Sequence, residues 1–138
     1  MKIIIDNFHA FKNALKNLKL IKGEGLYISA DKKIELISNN LPKYIEMAIE
    51  MSGNIVQPGK IFIPDETLKM VEQFKDGQLI ITDKSIICGS KEIEYFSEHD
   101  IKLLDYKFDN LTFTLSSKEL TRLLEVSYAT TNDLARPY

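Results

Sequence analysis

The chain begins the same unit three times, and this repetition limits its possible folds more than any other feature. Lys2-Ile3-Ile4-Ile5-Asp6 runs into the amphipathic stretch Phe8 to Leu18. Lys60-Ile61-Phe62-Ile63-Pro64-Asp65 runs into Leu68 to Phe74, and Leu111-Thr112-Phe113-Thr114-Leu115-Ser116 runs into Leu120 to Val126. Each copy reads as a short β-rich strand, a helix-capping residue and then apolar residues at helical spacing. Asp6, Asp65 and Ser116 are the expected caps. Ser116 and Glu119 also fit an S-x-x-E capping box, in which each side chain satisfies an orphaned backbone N–H.

After the first predicted helix come strand patterns at Leu26 to Ala30, Ile34 to Ser38 and Tyr44 to Met51. After the second come Gln78 to Thr82, Ser85 to Cys88 and Glu92 to Ser97. The alternation in Tyr44 to Met51 competes with its helix-forming composition, and the matching alternation of Glu92-Ile93-Glu94-Tyr95 favours strand. Both halves therefore read β-α-β-β-β. Phe8, Phe11, Leu15 and Leu18 form one apolar stripe, and such a stripe must be buried. The expectation is an α+β domain with two helices packed on one side of antiparallel sheet. It occupies residues 1–105 as units 1–57 and 58–105, and residues 106–138 start a further copy that lacks its remaining strands.

With 44% apolar and 28% charged residues, six glycines and four prolines, the composition is that of an ordinary globular protein. One cysteine cannot form an intrachain disulfide. No run approaches the roughly 18 apolar residues of a membrane span, and Met1 to Ile5 passes directly into polar Asp6-Asn7. A cytoplasmic protein is expected, with no membrane partner. Eighteen Lys plus Arg against twenty Asp plus Glu give a net charge of −2. That excludes a generally basic surface and leaves room for one basic face.

Such a face is visible on the first helix, where His9, Lys12, Lys16 and Lys19 recur at i, i+3, i+7 and i+10 beside the apolar stripe. The third helix offers Lys118 and Arg122 one turn apart. The second offers Lys69, near Glu66 and Gln73. Lysines so placed also serve simply to keep an exposed helix face solvated.

Catalytic readings find little support. Gly53 to Gly59-Lys60 has five residues between its glycines and Ile61 after the lysine, whereas a phosphate-binding loop needs four and a following Ser or Thr. His9 and His99 have no second histidine at ligand spacing. Cys88 lies in an apolar strand with no neighbouring base, which fits a buried inert thiol. No catalytic residue, metal or cofactor is expected.

In its order of elements the chain resembles the N-terminal part of the bacterial sliding clamp, the β subunit of DNA polymerase III. The likeness rests on Pro58-Gly59-Lys60-Ile61-Phe62-Ile63-Pro64 before a helix and on Asp100-Ile101-Lys102-Leu103-Leu104 closing the first domain. It rests also on Phe113-Thr114-Leu115 with its helix, and on the terminal Arg136-Pro137-Tyr138. The loop between Leu20 and Gly25 is shorter than the family's Arg- and Pro-containing segment, and the chain stops where a strand should follow Tyr138.

The resemblance implies the DNA-clamp (processivity factor) fold and a non-catalytic subunit that encircles duplex DNA without reading sequence, conferring processivity on the replicative polymerase. Its implied partners are duplex DNA, the replicative DNA polymerase, the clamp loader and further clamp subunits in a ring-forming homo-oligomer. It implies Lys12, Lys16, Lys19, Lys69, Lys118 and Arg122 as DNA-facing residues. The Ser90 to Phe96 strand becomes the subunit edge, with Ser90, Ile93 and Tyr95 in contact; Ile93 reads equally well as a core residue. The alternative is a standalone clamp-like interaction module that pairs with or blocks a full ring.

Overall fold

The structure, a computed structural model, describes residues 1–96, 103 and 115–131, with side chains described as far as residue 126. The chain divides into two compact units, Met1–Asp105 and Tyr106–Tyr138.

In the first unit the order is β1 (Lys2–Ile5), α1 (Phe8–Leu18), β2 (Gly25–Ala30), β3 (Ile34–Asn40), β4 (Ile45–Met51) and β5 (Asn54–Gln57). It continues with β6 (Gly59–Pro64), α2 (Asp65–Val71), β7 (Leu79–Thr82), β8 (Ser85–Cys88) and β9 (Lys91–Glu94). The two expected β-α-β-β-β patterns are present. β5 is an additional strand that the sequence pattern did not announce.

All strand pairs are antiparallel, in two sheets ordered β5-β1-β7-β8-β9 and β4-β3-β2-β6. The expected antiparallel sheet is laid out as these two sheets, and the halves interlock. β1 pairs with β5 of its own half and with β7 of the other, and β6 pairs across the halves with β2. Each sheet therefore takes strands from both halves.

Period-two alternation explains the shared interior. Ile3, Ile5, Leu79, Ile81 and Ile86 point inward from one sheet, and Leu26, Ile28, Ile34, Leu36 and Ile63 from the other, all at 2% exposure or less. They form one cluster with Phe11, Leu15 and Leu18 of α1 and Leu68 and Val71 of α2. Burying each large side chain stabilises the fold by about 1.5–3 kcal/mol before chain entropy is counted.

Helix entry differs from expectation by one residue in two places. Asn7, one residue beyond the expected Asp6, caps α1 by accepting from the Ala10 N–H at 2.9 Å. Asp6 instead accepts from the Gln78 amide at 2.6 Å, tying the start of α1 to the strand that β1 pairs with. At α2 the cap position is Pro64, which offers no side-chain bond, and Asp65 is the first helical residue. There its carboxylate sits in the first turn, favourable against the helix dipole, 3.7 Å from Lys69 one turn on. α2 also ends early, at Val71; Phe74 is carried past the helix to pack beside Phe8, ring centroids 6.4 Å apart.

Tyr44 to Met51 folds largely as expected: β4 pairs with β3 from Ile34↔Met51 to Asn40↔Ile45. Gly53 lies against β1, where an added Cβ would stand 2.5 Å from the Ile4 carbonyl oxygen. The glycine pair that mimics a phosphate-binding loop therefore flanks a strand pairing.

In the second unit α3 (Ser117–Thr131) carries the expected capping box. The Ser116 N–H donates to Glu119 Oε2 at 2.8 Å, and the Glu119 N–H donates to Ser116 Oγ at 3.2 Å. These bonds hold the Glu119 carboxyl below its ordinary pKa. The expected strand over residues 111–114, His99 and the terminal Arg136-Pro137-Tyr138 lie outside the described residues.

Candidate nucleic-acid interface

α1 is built to present one chemistry outward. Phe8, Phe11, Ala14, Leu15 and Leu18 are buried, while His9 and Lys16 are exposed. From Phe8 to Lys19 there are three lysines and no acid, a formal charge of +3 with His9 neutral. Lys12 is half-buried, its Nζ 5.4 Å from the Phe8 ring centroid, so its stem packs on the helix while the charge interacts with the ring face. Lys16 makes no ion pair among the described residues. Lys19 pairs with Glu72 just beyond α2.

The Phe8–Phe74 contact and the Lys19–Glu72 pair place α1 and α2 side by side. Between them runs a groove of about 280 Å³, floored by Leu15, Leu18 and Leu68. Lys19, Lys22 and Lys69 line it together with Asp65. α2 itself is acidic: from Asp65 to Glu72, three acids and one lysine give −2. Lys69 faces the groove but is partly offset by Asp65.

Lys22 was not singled out by the sequence. It adopts a left-handed conformation, φ 55°, at the end of the 3-10 turn that extends α1. The Asn40 side-chain amide fixes this turn by donating to the carbonyls of Ile21 and Lys22, both at 3.3 Å. No local signal announces it, because the glycine beside it, Gly23, is the residue expected at positive φ.

Lys118 and Arg122 are exposed one turn apart on α3, in the second unit.

β9 ends its sheet among the described residues. Ser90 lies in the turn before it, made possible by Gly89 at φ 62°. Ile93 and Tyr95 are half-buried against the core, with Ile93 opposite Ile86. Tyr95 donates its hydroxyl to the Thr82 carbonyl. Burial, reinforced by nearby Asp83, holds that hydroxyl well above the ordinary tyrosine range. The opposite row of β9 is Glu92 and Glu94.

Cys88 is buried with its thiol 3.5 Å from the Asp76 carbonyl oxygen, and burial pushes the thiol up. No group of three potential metal ligands occurs among the described residues. No helix among them is long and apolar enough to cross a membrane.

No protein-family model and no curated protein matches the chain. Solved structures do resemble it, among them three at 20% sequence identity each. With the Caulobacter crescentus pol III beta the TM-score is 0.75, covering 91% of this chain and 38% of that one. With a putative DNA polymerase III beta subunit from Eubacterium rectale it is 0.71, covering 90% and 38%. With the sliding clamp (DNA polymerase III subunit beta) of Bartonella birtlesii bound to griselimycin it is 0.76, covering 91% and 37%. The chain thus spans less than two fifths of the length of the proteins it resembles. Over nine tenths of its own length, this chain has the fold of the DNA polymerase III beta sliding clamps.

Proposed function

We propose that the chain is a segment of a DNA sliding clamp that encircles duplex DNA without reading its sequence and tethers a replicative DNA polymerase. Residues 1–105 serve as the first clamp domain and residues 106–138 as the start of the second. The observation that carries the reading is the acid-free, three-lysine face of α1, set beside α2 on a fold shared with sliding clamps.

A sliding ring must attract phosphates and still let DNA pass. Ammonium groups on long stems do this, because phosphate contacts hold a protein near the duplex without fixing a sequence register. Lys12, Lys16 and Lys19 supply that contact, and Lys22 adds to it beside Lys19 at the groove. Lys69, with Asp65 beside it, contributes less; Lys118 and Arg122 add a second patch in the second unit. Tethering needs no bond making or breaking, because holding the polymerase on the template raises its local concentration there. The subunit is therefore non-catalytic and needs no cofactor. Clamp loader, polymerase and further clamp subunits are its partners, in the cytoplasm.

The test is topological. In an assembly shown by light scattering to have ring mass, the protein stays on closed circular duplex DNA through a high-salt wash and leaves after one double-strand cut. Equal loss from circular and linear DNA contradicts encirclement.

The β9 edge, which has no further strand beside it among the described residues, supports a second reading, a clamp-like module that pairs with or blocks a full ring. In that case association with a clamp persists at salt concentrations that abolish DNA binding.

A further inference from the structure

We infer that the β9 edge is built for a partner strand carrying Lys or Arg at alternate positions and is charged against pairing with β9 or β4 of another copy of this unit. The inference rests on the proposal that β9 is a pairing edge, and adds the chemistry of what pairs there.

Side chains of a strand alternate between two faces, and β9 divides cleanly. Ile93 and Tyr95 turn to the core, whereas Glu92 and Glu94 are exposed in the other row. Lys91 stands in the core-side row, opposite Cys88. Lys60 and Lys84 lie around a separate cavity with Met1, Asp83 and Tyr95. Across the sheet from Glu92 and Glu94 are Ile87 and Ser85, so no cation of the neighbouring strand offsets them. A strand added at this edge meets two carboxylates at every second position.

Copies of this unit do not match that pattern. Two β9 strands pairing antiparallel about Ile93 set each Glu92 opposite a Glu94, and like charges directly opposite are destabilising. Head-to-tail pairing, which a ring of identical units requires, brings β9 to another open edge. At the far end of the other sheet β4 carries Glu46 and Glu50 in the row that holds Glu35 and Asn39 of β3. Lys33 is already shared there, 3.0 Å from Glu35 and 3.4 Å from Glu50. Acid would again face acid. Of the other two terminal strands, β5 carries no charge and β6 a single lysine, Lys60, so no sheet end among the described residues supplies alternating cations.

The test uses the full chain and two ten-residue extended peptides, one alternating Val with Lys and one alternating Val with Glu. At low ionic strength the Lys peptide binds, perturbing the β9 amides, and the Glu peptide does not. The double variant E92Q/E94Q weakens the Lys peptide about fivefold, as expected for two cross-strand charge pairs. E46Q/E50Q at the other edge leaves it unchanged. Equal binding of both peptides, no binding of either, or indifference to E92Q/E94Q would overturn the inference. Because DNA is absent, the outcomes separate. Peptide discrimination without topological retention on circular DNA sinks the clamp reading alone, and retention without discrimination sinks only this inference.

Discussion

α1 and α2 open the two halves of one repeat, yet they share only what the core demands. Both follow an isoleucine-rich strand, both bury an apolar stripe, and Phe8 of α1 packs beside Phe74, three residues past the end of α2. α1 has 11 residues, a side-chain cap at Asn7 and no acid; α2 has 7 residues, no side-chain cap and an excess of acid. The inward rows are constrained by a close-packed interior, where loss of even one methylene is felt. The outward rows are not, so they are where two copies of one unit can take different roles.

The largest expected contrast lies in the core. Phe11→Ala in α1 should cost about 4 kcal/mol, since a fully buried ring is removed and a cavity remains. Val71→Ala in α2 should cost about 2 kcal/mol, because less carbon is lost. Urea unfolding of both variants checks the order; equal costs would mean that the shorter helix holds the core as strongly as the longer one.

A smaller contrast concerns helix entry. Asn7→Ala removes the Ala10 bond and should cost about 1 kcal/mol. Asp65→Ala loses only a first-turn charge and an exposed pair, about 0.5 kcal/mol. A reversal of that order in urea midpoints would show that α2 depends on its acid more than on its packing.

The smallest effect sharpens the electrostatic difference. Glu72→Gln breaks the pair with Lys19, both groups partly exposed, and should change stability by no more than about 0.5 kcal/mol. It should nevertheless tighten DNA association, because Lys19 is released toward phosphate. Unaltered DNA affinity would remove Lys19 from the interface.

Much of this was legible in the residues. Ile3 and Ile5, alternating with Lys2 and Ile4, give β1 away, and Phe8, Phe11, Leu15 and Leu18 give away the buried face of α1. The capping box at Ser116 is a local pattern with local geometry, and it forms as written. β5 escaped because Asn54-Ile55-Val56-Gln57 holds only two apolar residues, too few for a period to show. The exchange of β1 and β6 between the halves escaped because pairing partners far apart leave no mark on local periodicity. Asp6 and Asp65 are good capping residues by type, but Asp6 is held by Gln78 and Pro64 already occupies the entry to α2. Lys22 depends on Asn40, eighteen residues on, which holds the turn that presents it.

The account stands or falls on whether the α1 face meets phosphate, and the slope of log association constant against log salt measures this directly on duplex DNA. K12E/K16E/K19E should lower the magnitude of that slope by about 2 to 3, since each phosphate contact contributes about 0.9, while K69E should lower it by less than 1. A slope that the triple variant leaves unchanged, or that K69E reduces as much, would contradict the assignment of α1 as the DNA-facing helix.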